Sequence, residues 1–115
     1  MYGRGYVPAK IDSDTSPDAL LCPYCGGNNL HQGTVVVYDR NEDADKVRRT
    51  IVNQGAVSSA EIDNNTSGNP SLRRHALTIF FECELCQHAD LQLHIIQHKG
   101  ITFVEWSDPN ADPGV

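Results

Sequence analysis

The sequence of 115 residues predicts a mainly β fold of about four antiparallel strands, with a short helical or irregular insert and extended termini. Three observations carry that expectation. Runs of β-branched, aromatic and aliphatic residues recur at 34–38, 76–82, 91–98 and 101–106. Two of them flank Lys99-Gly100, a two-residue turn in which glycine supplies the tight angle. Finally, four cysteines stand in two Cys-x-x-Cys pairs. They offer a cross-link to a chain whose core is thin, since roughly 65% of the unfolded surface can be buried at this length.

Residues 1–18 hold Gly, Pro, Asp and Ser and little apolar material, and are expected to form an N-terminal arm. Tyr2, Arg4 and Tyr6, spaced by glycines, are its candidate partner contacts. Residues 19–107 form the expected domain, and 108–115 an acidic tail. Within the domain, Thr34-Val35-Val36-Val37-Tyr38 reads as a strand. An insert of about 39–74 follows. Its first part has acids early and bases late, which complements a helix dipole. Asn41 would cap such a helix, Gly55 would end it, and Ala44, Val47 and Ile51 share one face. A short helix over about 42–53 is expected, although Val47, Arg49 and Ile51 also alternate as a strand would. Residues 54–71, rich in Gly, Ser, Asn and Asp, read as a long surface loop. Then Ala76–Glu82, Leu91–His98 and Ile101–Trp106 give three strands, the last two forming a hairpin.

Cys22-Pro-Tyr-Cys25 and Cys83-Glu-Leu-Cys86 are the chemical centre of the sequence. Four thiolates close a tetrahedral structural zinc site. Two intervening residues let one tight turn aim both sulfurs at one ion. Gly26 and Gly27 permit positive backbone angles after the first pair, and Pro23 presets one angle within it. One Zn2+ per chain, held by Cys22, Cys25, Cys83 and Cys86, is the expected cofactor. Iron is the other metal such a set would take.

Cys22-Pro-Tyr-Cys25-Gly26-Gly27, with Cys83-Glu-Leu-Cys86 far downstream, resembles the zinc-ribbon family. The resemblance implies two zinc knuckles on the turns of a small antiparallel sheet, clamping one ion. It departs from the family in two respects. Gln87-His88 follows the second knuckle where a glycine is common, and 57 residues separate the pairs. Loop-closure cost rises only about 0.6 kcal/mol per doubling of length, so the interval permits the site and points to an insertion. The resemblance implies a fold and a metal but no single function.

Cys-Pro-Tyr-Cys also resembles the glutaredoxin active-site motif. That chemistry places the first cysteine at a helix N-terminus. Gly26-Gly27-Asn28-Asn29 opposes a helix there, and the second pair would lack a purpose. A disulfide framework is the third reading, disfavoured because the N-terminus has no continuous apolar stretch of the kind an export signal needs.

Other chemistry is weaker. Arg48-Arg49 and Arg73-Arg74 flank the insert and, with Lys46 and His75, are candidate nucleic-acid or phosphate contacts. Phe80, Phe81 or Trp106 would then stack on bases. Asp39, Glu42, Asp43 and Asp45 offset part of that charge. Of the histidines, His88 lies two residues past Cys86, and the five read as partly exposed strand and turn residues: His31, His75, His88, His94 and His98. No nucleophile triad, phosphate loop or carboxylate pair stands out, and a closed four-sulfur site has no open position for water, so no enzyme is expected.

Nine Lys+Arg against fifteen Asp+Glu give a net charge of −6, which disfavours a general nucleic-acid coat. No apolar run approaches the ~18 residues of a membrane span, and an intracellular, cytoplasmic location is expected. The function expected is a non-catalytic zinc-binding module for protein–protein interaction or self-assembly. A nucleic-acid-associated ribbon and a dithiol redox protein are the alternatives.

Overall fold

The computed structural model describes residues 6–13, 18–88 and 90–107. It is mainly β. Strands β1 (Tyr6–Pro8), β4 (Leu30–Asp39), β5 (Lys46–Asn53), β6 (Ala56–Asp63), β7 (Ala76–Cys83), β8 (Leu91–His98) and β9 (Ile101–Ser107) form one sheet in the order β1-β9-β8-β7-β4-β5-β6. All the neighbours are antiparallel. Strands β2 (Ile11–Asp12) and β3 (Ala19–Leu20) pair separately, and α1 is a single turn, Asn64–Ser67.

The expected strands lie within β4, β7, β8 and β9, and the β8–β9 hairpin turns at Lys99-Gly100. Both turn residues have positive φ, 51° and 79°, as a type I′ turn requires. The main sheet has seven strands rather than about four, and two corrections account for much of the difference. The helix expected over 42–53 is strand β5, and most of the loop expected over 54–71 is β6 and α1. The charge order that resembles a helix dipole belongs to cross-strand pairs. Lys46 bonds Asp63, and Arg48 lies between Asp39 of β4 and Glu61 of β6. Val47, Thr50, Ile51 and Val52 are β-branched, and the ladder to β4 decides between two periodicities that the sequence leaves open. The segment read as an arm also supplies strands: Tyr6–Pro8 extends the sheet along β9. Tyr2 and Arg4, the tail and four residues at 14–17 lie outside the described residues.

Two small cores occupy opposite faces and opposite ends of the sheet. On the front face Cys22, Cys83, Leu91, Leu93 and Trp106 are buried together, with Val7, Leu20, Leu30 and Phe81 packed against them. On the back face, toward the other end, Val36, Tyr38, Val47 and Ala76 pack with Ile51, Ile62 and Phe80. A bulge in β4 between Gln32 and Val35 lets that strand serve both. Three residue steps on β4 oppose two on β7, so Leu30 and Val35 both face front although they differ in parity.

Candidate metal centre

Both Cys-x-x-Cys pairs sit at strand ends. Cys83 is the last residue of β7, and Cys22 follows β3. Each pair is wrapped in the same backbone ring. The Cys22 N–H donates to the Gly27 carbonyl at 2.8 Å, and the Cys83 N–H to that of His88 at 2.9 Å. In both rings the residue after the second cysteine has positive φ: Gly26 at 73° and Gln87 at 58°. The position after the second knuckle, where a glycine is common in zinc ribbons, is therefore held in the left-handed region by Gln87. Gly27 answers a different need. A Cβ there would lie 2.4 Å from Leu85 Cδ1. The Glu84 N–H donates to the Asn29 carbonyl at 2.9 Å, which locks one turn against the other.

The four sulfurs lie within 4.8 Å of one another. Cys22 Sγ is 3.8 Å from Cys86 Sγ, and Cys25 Sγ is 3.6 Å from Cys83 Sγ. A tetrahedron with metal–sulfur bonds of about 2.3 Å has edges of about 3.8 Å, so the donor set fits a four-coordinate ion. All four cysteines are free. Backbone donors are aimed at the sulfurs: the Tyr24 N–H at Cys22 and the Gly27 N–H at Cys25, each at 3.4 Å. These donors stabilise thiolate charge.

The environment divides the set. Cys22 and Cys83 are buried in the front core, Cys25 is exposed and Cys86 half-buried. The backbone N–H of Cys86 outweighs burial at Cys83 and draws its thiol down to about 7. At Cys86 the N–H of His88 favours the thiolate, but burial and the three neighbouring sulfurs together push it up to about 12. Mutual repulsion of this kind is what a cation at the centre would remove.

His88 is the one histidine of the five seen against the sulfurs, with Nδ1 3.3 Å from Cys86 Sγ. Its ring stacks on Tyr24 at 3.8 Å and 9°, so each knuckle contributes one ring to a shared stack. The position of His88 hints at this contact, but Tyr24 was not singled out in the sequence. The other histidines lie elsewhere. His31 meets Glu84 at 3.1 Å, and His75 accepts from the Arg40 N–H at 3.1 Å. His94 corrects the expectation of partial exposure: it is buried, its two ring nitrogens bonded to Thr78 and Ser107.

The structure does not gather the four arginines. Arg48 and Arg49 are strand neighbours and point to opposite faces. Arg49 donates to the Ser67 carbonyl at 2.9 Å, and Arg73 is tied to Glu42 and Asp43. Trp106 is 1% exposed, with its ring edge-on to Phe81, and so is not a free stacking surface. Tyr6 is in β1, its ring 5.4 Å from that of His94. After Cys25 the chain turns into β4 with no helix among residues 26–30, so the sulfur of Cys22 has no helix N-terminus before it.

No helix among the described residues is long and apolar enough to cross a membrane. No family model, curated protein or solved structure matches this chain. The shown identity of the molecule is therefore that of its structure: a mainly β protein with four cysteines placed to hold a metal ion.

Proposed function

We propose that this chain is a non-catalytic interaction or assembly module whose sheet is stapled by one Zn2+ in a ribbon-like pair of knuckles. One observation carries the reading. Two of the four donors, Cys22 and Cys83, are themselves core residues, packed with Leu91, Leu93 and Trp106. An ion bound there supports the fold directly, because it joins the chain before β4 to the end of β7. Four sulfurs leave no open coordination position for a substrate, which favours a structural role over a catalytic one. Structural zinc sites contribute roughly 10–16 kcal/mol of apparent binding energy in small peptides. That rivals the whole stability of about 5–15 kcal/mol expected of a domain.

Native mass spectrometry of freshly purified protein tests the metal. One zinc per chain with reduced thiols is the expected result. A chain lighter by a disulfide would replace the staple with a redox pair. After chelation the far-ultraviolet dichroism and its melt should collapse, and an unchanged melt would remove the structural role. The interaction reading is tested by binding: the zinc-loaded chain should retain a defined protein partner or itself, and the chelated chain should not. Salt-sensitive retention of nucleic acid alone would move the assignment to the ribbon's nucleic-acid alternative.

A further inference from the structure

The front face of the sheet carries an apolar row that runs through all seven strands: Val57, Val52, Val35, Ile79, Leu93, Trp106 and Val7. Every member is the direct cross-strand partner of the next. Cover is uneven along it. Trp106 is 1% and Leu93 6% exposed beneath the first knuckle, whereas Val52 is 37% and Val57 67% exposed. The adjoining row, Val37, Leu77, Ile95 and Val104, is apolar too, and its end members are 38% and 45% exposed. Along the first row the knuckle core thus continues, without a change of chemistry, onto open sheet, while the second row is apolar as far as Val37 and goes on as Thr50 and Ser59. A contiguous patch of this kind marks an interface, whereas isolated exposed residues do not.

We infer that this open front face is a homodimer interface, on which a second copy of the chain packs sheet against sheet. The inference deepens the interaction-module reading and rests on it. Size favours this occupant. Strands about 4.8 Å apart put β6 about 24 Å from β9, and three same-face rows span about 20 Å with their side chains. Each copy then contributes on the order of 500 Å², and the pair buries about 1,000 Å², the least a specific interface needs. Charge favours it as well. The strand residues of this face carry Lys46 and Arg48 against Asp39, Glu61 and Asp63, which sums to 2 − 3 = −1. The whole chain carries −6, so this is a face on which two copies meet with little repulsion. A two-fold interface uses one patch twice and must be self-complementary. Here Arg48 stands in its row between Glu61 and Asp39, so each copy brings both signs to the same rim.

Sedimentation of the zinc-loaded full chain over a concentration series tests the inference. The expected result is reversible growth from 12.7 kDa toward twice that mass. Val37→Asp and, separately, Val52→Lys should weaken the dimer at least about tenfold. Both side chains are already more than a third exposed, so the variants should keep the wild-type dichroism and metal content. A third variant, Val57→Lys at the sheet edge, should act in the same direction. A chain that stays monomeric throughout overturns the inference, whatever other partner it binds; with zinc still bound, that outcome leaves the metal-stapled module standing. A dimer indifferent to all three variants also overturns it, and moves the contact to another surface such as the β6 edge. Loss of zinc in the wild type is the separate result that would sink the module itself.

Discussion

Acid should destabilise this fold through His94. The imidazole is 5% exposed, with Nδ1 2.8 Å from Thr78 Oγ1 and Nε2 2.7 Å from Ser107 Oγ. The Tyr6 ring meets it edge-on, and Glu105 is its cross-strand neighbour. Burial draws its pKa from 6.5 down to about 4. Between those values the unfolded chain holds a proton that the folded chain does not, so stability falls as the pH falls through that window. Above 6.5 the effect is absent, and below about 4 it stops growing. Linkage with these two values gives a loss of about 2 kcal/mol between pH 7 and pH 5. The assay is urea unfolding at several pH values, wild type against His94→Gln. Acid release of metal and protonation of the other groups act on both proteins, so the difference between their slopes isolates His94. The variant should lack about 2 kcal/mol of the wild-type pH dependence. Identical slopes would refute the reasoning. So would an imidazole that titrates above 6.5 in the folded protein, because the Glu105 carboxylate rather than burial would then govern it.

Two further substitutions probe other parts of the molecule. Ser71, 2% exposed, donates to the Gln97 carbonyl at 2.7 Å and accepts from the Arg73 and Arg74 N–H groups at 3.2 and 3.0 Å. Ser71→Ala strands all three and should cost about 2–3 kcal/mol in denaturant unfolding with an unchanged slope. Gln87 sits at φ 58°, where a side chain costs about 1–2 kcal/mol and glycine costs nothing. After the extra entropy glycine loses on folding, Gln87→Gly should raise stability by about 0.5–1 kcal/mol. A glycine variant no more stable than Gln87→Ala would contradict this.

The parts of the fold that were legible in the sequence are those that bury one side of a strand. Ala76–Cys83, Leu91–His98 and Ile101–Ser107 carry dense apolar residues because the front core rests on all three, and Ala76–Cys83 serves the back core as well. The four ligands were legible because a Cys-x-x-Cys pair records a turn in its spacing. The β5–β6 hairpin was not. Its turn, Gln54-Gly55, takes φ of 50° and 82° without the Asn or Asp that usually announces it. Strand β6 is an edge with Ala56–Glu61 exposed on both sides, so no alternation of polar and apolar residues was imposed on it. The stack of Tyr24 on His88 joins residues from two distant turns, and only the closed site brings them face to face.

The bulge at Gln32–Val35 works as a reading-frame shift in the pleat. One surplus residue lets the two ends of β4 obey different phases: Leu30 turns toward the sulfur ligands, and Val36 and Tyr38 turn toward the core on the reverse side. Were the bulge flattened with every residue kept, a single phase would run along the whole strand. The sheet would then have to choose. If β4 kept step with the knuckles, Val36 and Tyr38 would be turned out of their core. If it kept step with β5, Leu30 would swing away from the metal end. Deleting one bulge residue such as Gly33 would instead set two steps against two on β7, and plain alternation would keep Leu30 at the front and Val36 and Tyr38 at the back.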